Sequence, residues 1–186
     1  MMLKRHFKSI ICELDFYREE KPVLLIANHF SWWDGFIGNY LSYNYFRKRF
    51  HVMMLREQLA RRMFLNKAGA YSVEKSSRSL IESLQYSAEI LSHRDNMVMM
   101  FPQGNIESIY HRGFHFEKGI EKILARCKDS PEIVLNINLV DYFSNQKPTL
   151  FIRTKTYTGE YSAKKIEEAF NRFHMECVDK QRKDLV

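Results

Sequence analysis

Short apolar runs alternating with segments of helical periodicity predict a single α/β domain, with a mixed central sheet flanked by helices. Three observations carry this. Val23–Ala27, Met97–Phe101 and Ile133–Leu139 are largely apolar over their whole length, as in strands covered on both faces. Between such runs, apolar residues recur every three or four positions, the spacing of an amphipathic helix. The chain has 186 residues, 45% hydrophobic and 27% charged, enough for one core, and no linker, repeat or low-complexity tract divides it.

The elements follow in order. Leu3, Phe7, Ile10, Leu14 and Tyr17 recur at helical spacing with Lys4, Arg5 and Lys8 between them, which predicts an amphipathic N-terminal helix over 1–20. Pro22 stops it, and Val23–Ala27 is the first strand. Asn28–Trp33 lacks periodicity and is a loop. Asp34 opens a helix to about Phe46, His51–Leu55 is the second strand, and a helix covers about 57–66. After Gly69 come a strand near 71–74 and a helix capped by Ser76 or Ser77, with Leu80, Leu84, Ala88 and Leu91 on its face. Met97–Phe101 is a fourth strand, ended by Pro102 and Gly104. An irregular stretch leads to a helix carrying Phe116, Ile120, Ile123 and Cys127. Ile133–Leu139 and Leu150–Thr156 are further strands. A C-terminal helix over 161–183 presents Ile166, Phe170, Phe173 and Cys177.

Composition narrows the function. The longest apolar runs are five residues, against about 20 for a membrane-spanning helix. Lys4, Arg5 and Lys8 are not followed by the apolar stretch of a secretory signal. Cys12, Cys127 and Cys177 stand far apart without a CxxC pair, as in a reduced cytoplasmic protein. Twenty-nine Lys and Arg against 22 Asp and Glu give a net charge of +7. That points to an anionic partner: nucleic acid, an acidic membrane surface, an acidic carrier protein or a phosphorylated cofactor.

Reactive side chains of such folds sit beyond the C-terminal ends of strands. Asn28–Asp34 and Phe101–Asn105 are the two loops so placed. Five residues apart on one helix, His29 and Asp34 would face different ways. With His29 in the loop and Asp34 at the helix start, the carboxylate can reach Nδ1 and leave Nε2 to take a proton. On spacing alone, Asp34 serves equally well as a helix cap.

Asn28-His29, four residues, then Asp34 resembles the NHxxxxD motif of the glycerolipid acyltransferase family, typified by enzymes that acylate lysophosphatidic acid. Gly69–Lys75 is similar to the family's Gly-x-Phe-x-x-x-Arg block. Phe101–Ser108 is similar to FPEGTRS, and Phe116–Gly119 to Phe-Lys-x-Gly. The blocks stand in family order over about residues 20–160. The resemblance implies an α/β acyltransferase of the 1-acylglycerol-3-phosphate type. His29 would be the general base on an acceptor hydroxyl, Asp34 its orienting partner, and the acyl donor an acyl-CoA or acyl carrier protein. Neither a metal, a further cofactor nor a covalent acyl-enzyme is implied. Lys75, Gln103, Gly104 and Asn105 inherit acceptor binding.

The departures matter. Lys75 replaces Arg and loses its bidentate geometry, Gln103 replaces Glu, and Asn105-Ile106 replaces Thr-Arg. Two acceptor readings stay open: another lyso-lipid, lipid alcohol or amine, or a glycerol phosphate held by Lys75 alone with nearby basic residues. Gly104 after Pro102 reads as a residue that permits a tight turn, or alternatively as one whose turn exposes backbone N–H groups to an anion or an oxyanion. His111 and His115 have the i, i+4 spacing of metal ligands but lack an evident third ligand, so a solvated surface is expected for them.

Tyr43–Phe50 mixes aromatics with Arg47, Lys48 and Arg49. With a lipid acceptor implied, the run reads as contact with an anionic membrane surface rather than with nucleic acid, and the N-terminal helix as a second anchor. The expected protein is a cytoplasmic, peripheral enzyme on the inner face of the membrane. The alternatives are a non-catalytic lipid- or carrier-binding relative and a thioester hydrolase.

Overall fold

A computed structural model of the chain describes residues 2–16, 20–55, 69–73 and 77–183. The helix expected over 57–66, and Lys75, lie outside them. The strands are Ser9–Leu14 (β1), Val23–Ala27 (β2), Arg49–Leu55 (β3), Ala70–Val73 (β4), Asn96–Met100 (β5), Glu132–Asp141 (β6) and Thr149–Thr156 (β7). The helices are Leu3–His6 (α1), Asp34–Leu41 (α2, prolonged by a π-helical turn over Ser42–Phe46), Ser77–Ile90 (α3), Ile120–Leu124 (α4) and Ala163–Lys183 (α5). One mixed sheet runs β1-β7-β6-β2-β5-β3-β4. Its neighbours are parallel except for the β6–β7 pair.

Every residue of β2 and β5 is buried, which is why both read as apolar runs, save Asn96 at the start of β5, whose side chain donates to the Ile90 carbonyl. Alternate side chains go to opposite faces. Leu24, Ile26, Val98 and Met100 meet residues of α3, α4 and α5 on one face. Val23, Leu25, Ala27, Met97 and Met99 meet α1 and α2 on the other. Helix α2 lies close on the sheet at Gly38, where a Cβ would stand 2.2 Å from the Met99 sulfur and 2.7 Å from the Phe50 ring.

The N-terminus corrects the expectation of one amphipathic helix over 1–20. Among the described residues of that stretch only Leu3–His6 is helical, and Ser9–Leu14 is a strand paired in parallel with β7, Ser9 opposite Thr149. Ile10, Cys12 and Leu14 alternate onto the α2 face of the sheet, so a period of two was hidden inside a pattern that also fits a helix. A shared sheet edge satisfies backbone groups that a lone helix would satisfy internally, and here the edge won.

Two further expectations shift. The helix drawn through Phe116 is confined to Ile120–Leu124, because Glu117 N–H donates to the Pro102 carbonyl and Phe116 N–H to Glu167. The C-terminal helix begins at Ala163, and the Ser162 hydroxyl accepts the Lys165 N–H as its cap (3.3 Å).

Since α2 leaves the C-terminal end of β2 and delivers the chain to the start of parallel β3, the basic–aromatic run Tyr43–Phe50 lies at the N-terminal ends of the central strands, opposite the end that carries His29. Much of it is structural. Phe46 is buried against Phe16, and Lys48 Nζ donates to the carbonyls of Lys21 and Arg94, each at 2.7 Å. No described helix is long and apolar enough to cross a membrane.

Candidate active site

The site starts where β2 stops. Asn28, 1% exposed, makes the last backbone bond to β6, its N–H donating to the Asn136 carbonyl at 3.4 Å, and continues the ladder with its side chain: Nδ2 donates to the Asn138 carbonyl (2.9 Å) and Oδ1 accepts the Asn138 N–H (2.8 Å). One amide side chain thus replaces a peptide unit against β6. The main chain is free to leave the sheet, and His29 is the first residue to do so.

Asp34 is the first residue of α2, and its carboxylate turns back over the loop. Oδ2 accepts from His29 Nδ1 at 2.6 Å, Phe30 N at 2.9 Å and Ser31 N at 3.0 Å, while Oδ1 accepts the Ser31 hydroxyl at 3.2 Å. Trp33, the residue in the capping position, makes no side-chain cap bond. Asp34 therefore acts beyond capping: at 1% exposure its charge is compensated by four donors, one of them the imidazole. A carboxylate only accepts, so Nδ1 carries the proton and the Nε2 lone pair is left open. The His29 side chain is 23% exposed, and Nε2 has no hydrogen-bond partner among the described residues. Its ring stacks on Phe101, with centroids 4.4 Å apart and planes 21° apart.

A family model described as Acyltransferase matches residues 9–140, from β1 to the end of β6. The chain belongs to that family, the phospholipid/glycerol acyltransferases. No curated protein matches it.

In this acyltransferase the second loop is built differently from the acceptor-binding surface expected of it. Gln103 is 3% exposed with both ends of its amide engaged: Oε1 accepts the His29 N–H at 2.7 Å and Nε2 donates to Glu107 at 3.2 Å. It has little left to offer an acceptor. Gly104 adopts φ +71°, the left-handed conformation that a tight turn requires, and its N–H is taken by the Phe101 carbonyl at 3.1 Å. Its N–H is therefore not open to an oxyanion. Asn105 and Ile106 beyond it are exposed, and Ile106 at 58% is an apolar side chain standing in solvent. Lys75 lies outside the described residues.

His111 and His115 are not on a helix, and both are exposed. Among the described residues no three His, Cys, Asp or Glu gather as metal ligands do. Burial raises all three thiols, with Cys177 pushed up to about 12, so none is poised as a thiolate nucleophile.

Three contributors escaped the sequence. Asn28 entered only as the first letter of a motif, Glu107 was not singled out, and α5 looked like a packing helix. Yet Asn171 of α5 accepts the Phe114 N–H (2.7 Å) and donates to the Phe114 carbonyl (2.9 Å), and Glu167 accepts the Phe116 N–H (2.6 Å). The helix thereby fixes the far end of the loop that starts at Phe101. The signal was present as Glu167, Asn171 and His174 at i, i+4 and i+7, one polar stripe on a helix.

Proposed function

We propose that this acyltransferase moves a fatty acyl chain from an acyl-CoA or acyl carrier protein thioester to a hydroxyl, or an amine, of a lyso-lipid acceptor. The observation that carries the reading is the 2.6 Å contact of His29 Nδ1 with Asp34, with Nε2 unpartnered among the described residues. Nε2 takes the proton of the acceptor hydroxyl as its oxygen attacks the thioester carbon. The carbon–sulfur bond then breaks, and the imidazolium returns the proton to the departing thiolate. The products are an ester and a free thiol, and no acyl-enzyme forms. Asp34 stabilises the imidazolium in between and holds its tautomer.

The acceptor is proposed to differ from the 1-acylglycerol-3-phosphate of the best-known members, since Asn105 and Ile106 offer no cation to a phosphate. A net charge of +7 suits an anionic donor and an anionic membrane surface, and no role in nucleic-acid binding is proposed. We place the protein in the cytoplasm, peripheral on the inner face of the membrane. Trp32 at 39%, Ile106 at 58% and Tyr110 at 84% exposure stand on the loops at the His29 end of the strands, where a lipid acceptor would arrive.

The experiment is thiol release from palmitoyl-CoA and from palmitoyl carrier protein across a panel of lyso-lipids. Transfer by the wild type and none by His29→Ala, with unchanged circular dichroism, is the expected result. Full activity in His29→Ala would overturn the mechanism. Thiol release independent of acceptor would show a hydrolase, and no release with either donor would show a binding protein.

A further inference from the structure

We infer that Gln103 and Glu107 act together as positioning residues for His29, an inference that rests on the proposed role of His29 as the base. Asp34 fixes the ring through Nδ1, but the direction of the ring also depends on the peptide that carries it. Both polar groups of His29 are held by the loop after β5. Its N–H donates to Gln103 Oε1 at 2.7 Å, and its carbonyl accepts the Glu107 N–H at 2.8 Å. The Gln103 Nε2 to Glu107 bond at 3.2 Å closes the circuit, so the His29 backbone is bracketed by two residues that are themselves bonded. Phe101 of the same loop lies flat on the imidazole.

The residue types suit this circuit. Position 103 must accept from His29 and also donate to position 107, and an amide does both while a carboxylate at 107 only accepts. Carboxylates at both positions would leave the circuit without its donor and set like charges in contact. The reverse arrangement, a carboxylate at 103 and an amide at 107, closes the same circuit. At 3% exposure, Gln103 has no water to take over if its oxygen is lost, and the His29 N–H would be left without an acceptor. Gln103 Nε2 donates to the Glu107 carboxylate, so the same amide ties both residues to the His29 peptide.

The test compares Gln103→Leu with the double exchange Gln103→Glu/Glu107→Gln in the full chain. The two readouts are hydrogen exchange of the His29 amide and the kcat and KM of thiol release from palmitoyl-CoA. In Gln103→Leu, exchange should quicken by about tenfold and kcat fall by about tenfold or more with KM little changed, the size of one lost buried hydrogen bond. The double exchange should stay within about threefold of wild type on both. The inference is overturned if Gln103→Leu keeps wild-type exchange and kcat, or if the double exchange behaves like Gln103→Leu. Should Gln103→Leu not fold, His29 exchange in the double variant decides. Should palmitoyl-CoA not be turned over even by the wild type, palmitoyl carrier protein replaces it in the kinetic readout, and the exchange measurement judges the positioning whichever donor is used.

Discussion

Asp34 holds an imidazole and a turn at the same time, and its replacement separates the two tasks. In Asp34→Asn a single amide oxygen must serve His29 Nδ1, Phe30 N–H and Ser31 N–H, and the charge that favours the imidazolium is gone. Turnover should fall by about 10²-fold or more, and stability by about 1–3 kcal/mol. Thiol release and thermal unfolding read these separately, and unaltered turnover would leave Asp34 a purely structural residue. Asn28→Ala removes the partner of both backbone groups of Asn138, which is fully buried, and should cost about 1–3 kcal/mol in urea unfolding. His29 and Asp34 were legible because both lie within one loop and its helix start. Asn28 and Asn138 are 110 residues apart, and His29 and Gln103 are 74 apart. Such bonds leave no trace in local periodicity.

At the scale of elements, strands buried on both faces announced themselves, while the edge did not. Strand β1 depends on β7, about 140 residues later in the chain, and no local propensity records that pairing. Helix α2 was legible, but its closeness to the sheet was not, since it depends on the absence of a side chain at Gly38. Gly38→Ala should cost about 1–3 kcal/mol through overpacking against Met99 and Phe50, measured by denaturant unfolding. Helix α5 makes a prediction about pH. His174 is 1% exposed and packs edge-on to Phe114, with ring centroids 4.8 Å apart. Burial lowers its pKa, His111 adds to the shift, and the backbone at Ile109 partly offsets it. His51 is lowered too, chiefly by burial. The folded state therefore binds fewer protons than the unfolded chain, so stability falls as pH drops below about 6.5, the ordinary histidine value. His174→Leu should flatten that decline in urea melts taken between pH 7 and 5. An equally steep decline in the variant would assign it elsewhere.

The molecule as a whole has two unlike ends. The C-terminal end of the central strands bears His29 and exposed Trp32, Ile106 and Tyr110; the N-terminal end bears the basic–aromatic run with Tyr43 at 80% exposure. If the membrane is met at the His29 end, Trp32→Ser with Tyr110→Ser should weaken co-sedimentation with phosphatidylglycerol-containing vesicles, and Tyr43→Ser should not. The reverse result would turn the molecule over. The fold class was legible as alternating strands and helices. The order of strands was not, because nothing local says that β2 lies between β5 and β6, the adjacency that brings Asn138 and Gln103 to His29. The clamp from α5 has one more consequence. The family match ends at residue 140, before the helix whose Glu167 and Asn171 fix the backbone at 114–116. A chimera that exchanged only this tail for a foreign one would keep every motif residue and still reset the loop that faces the imidazole.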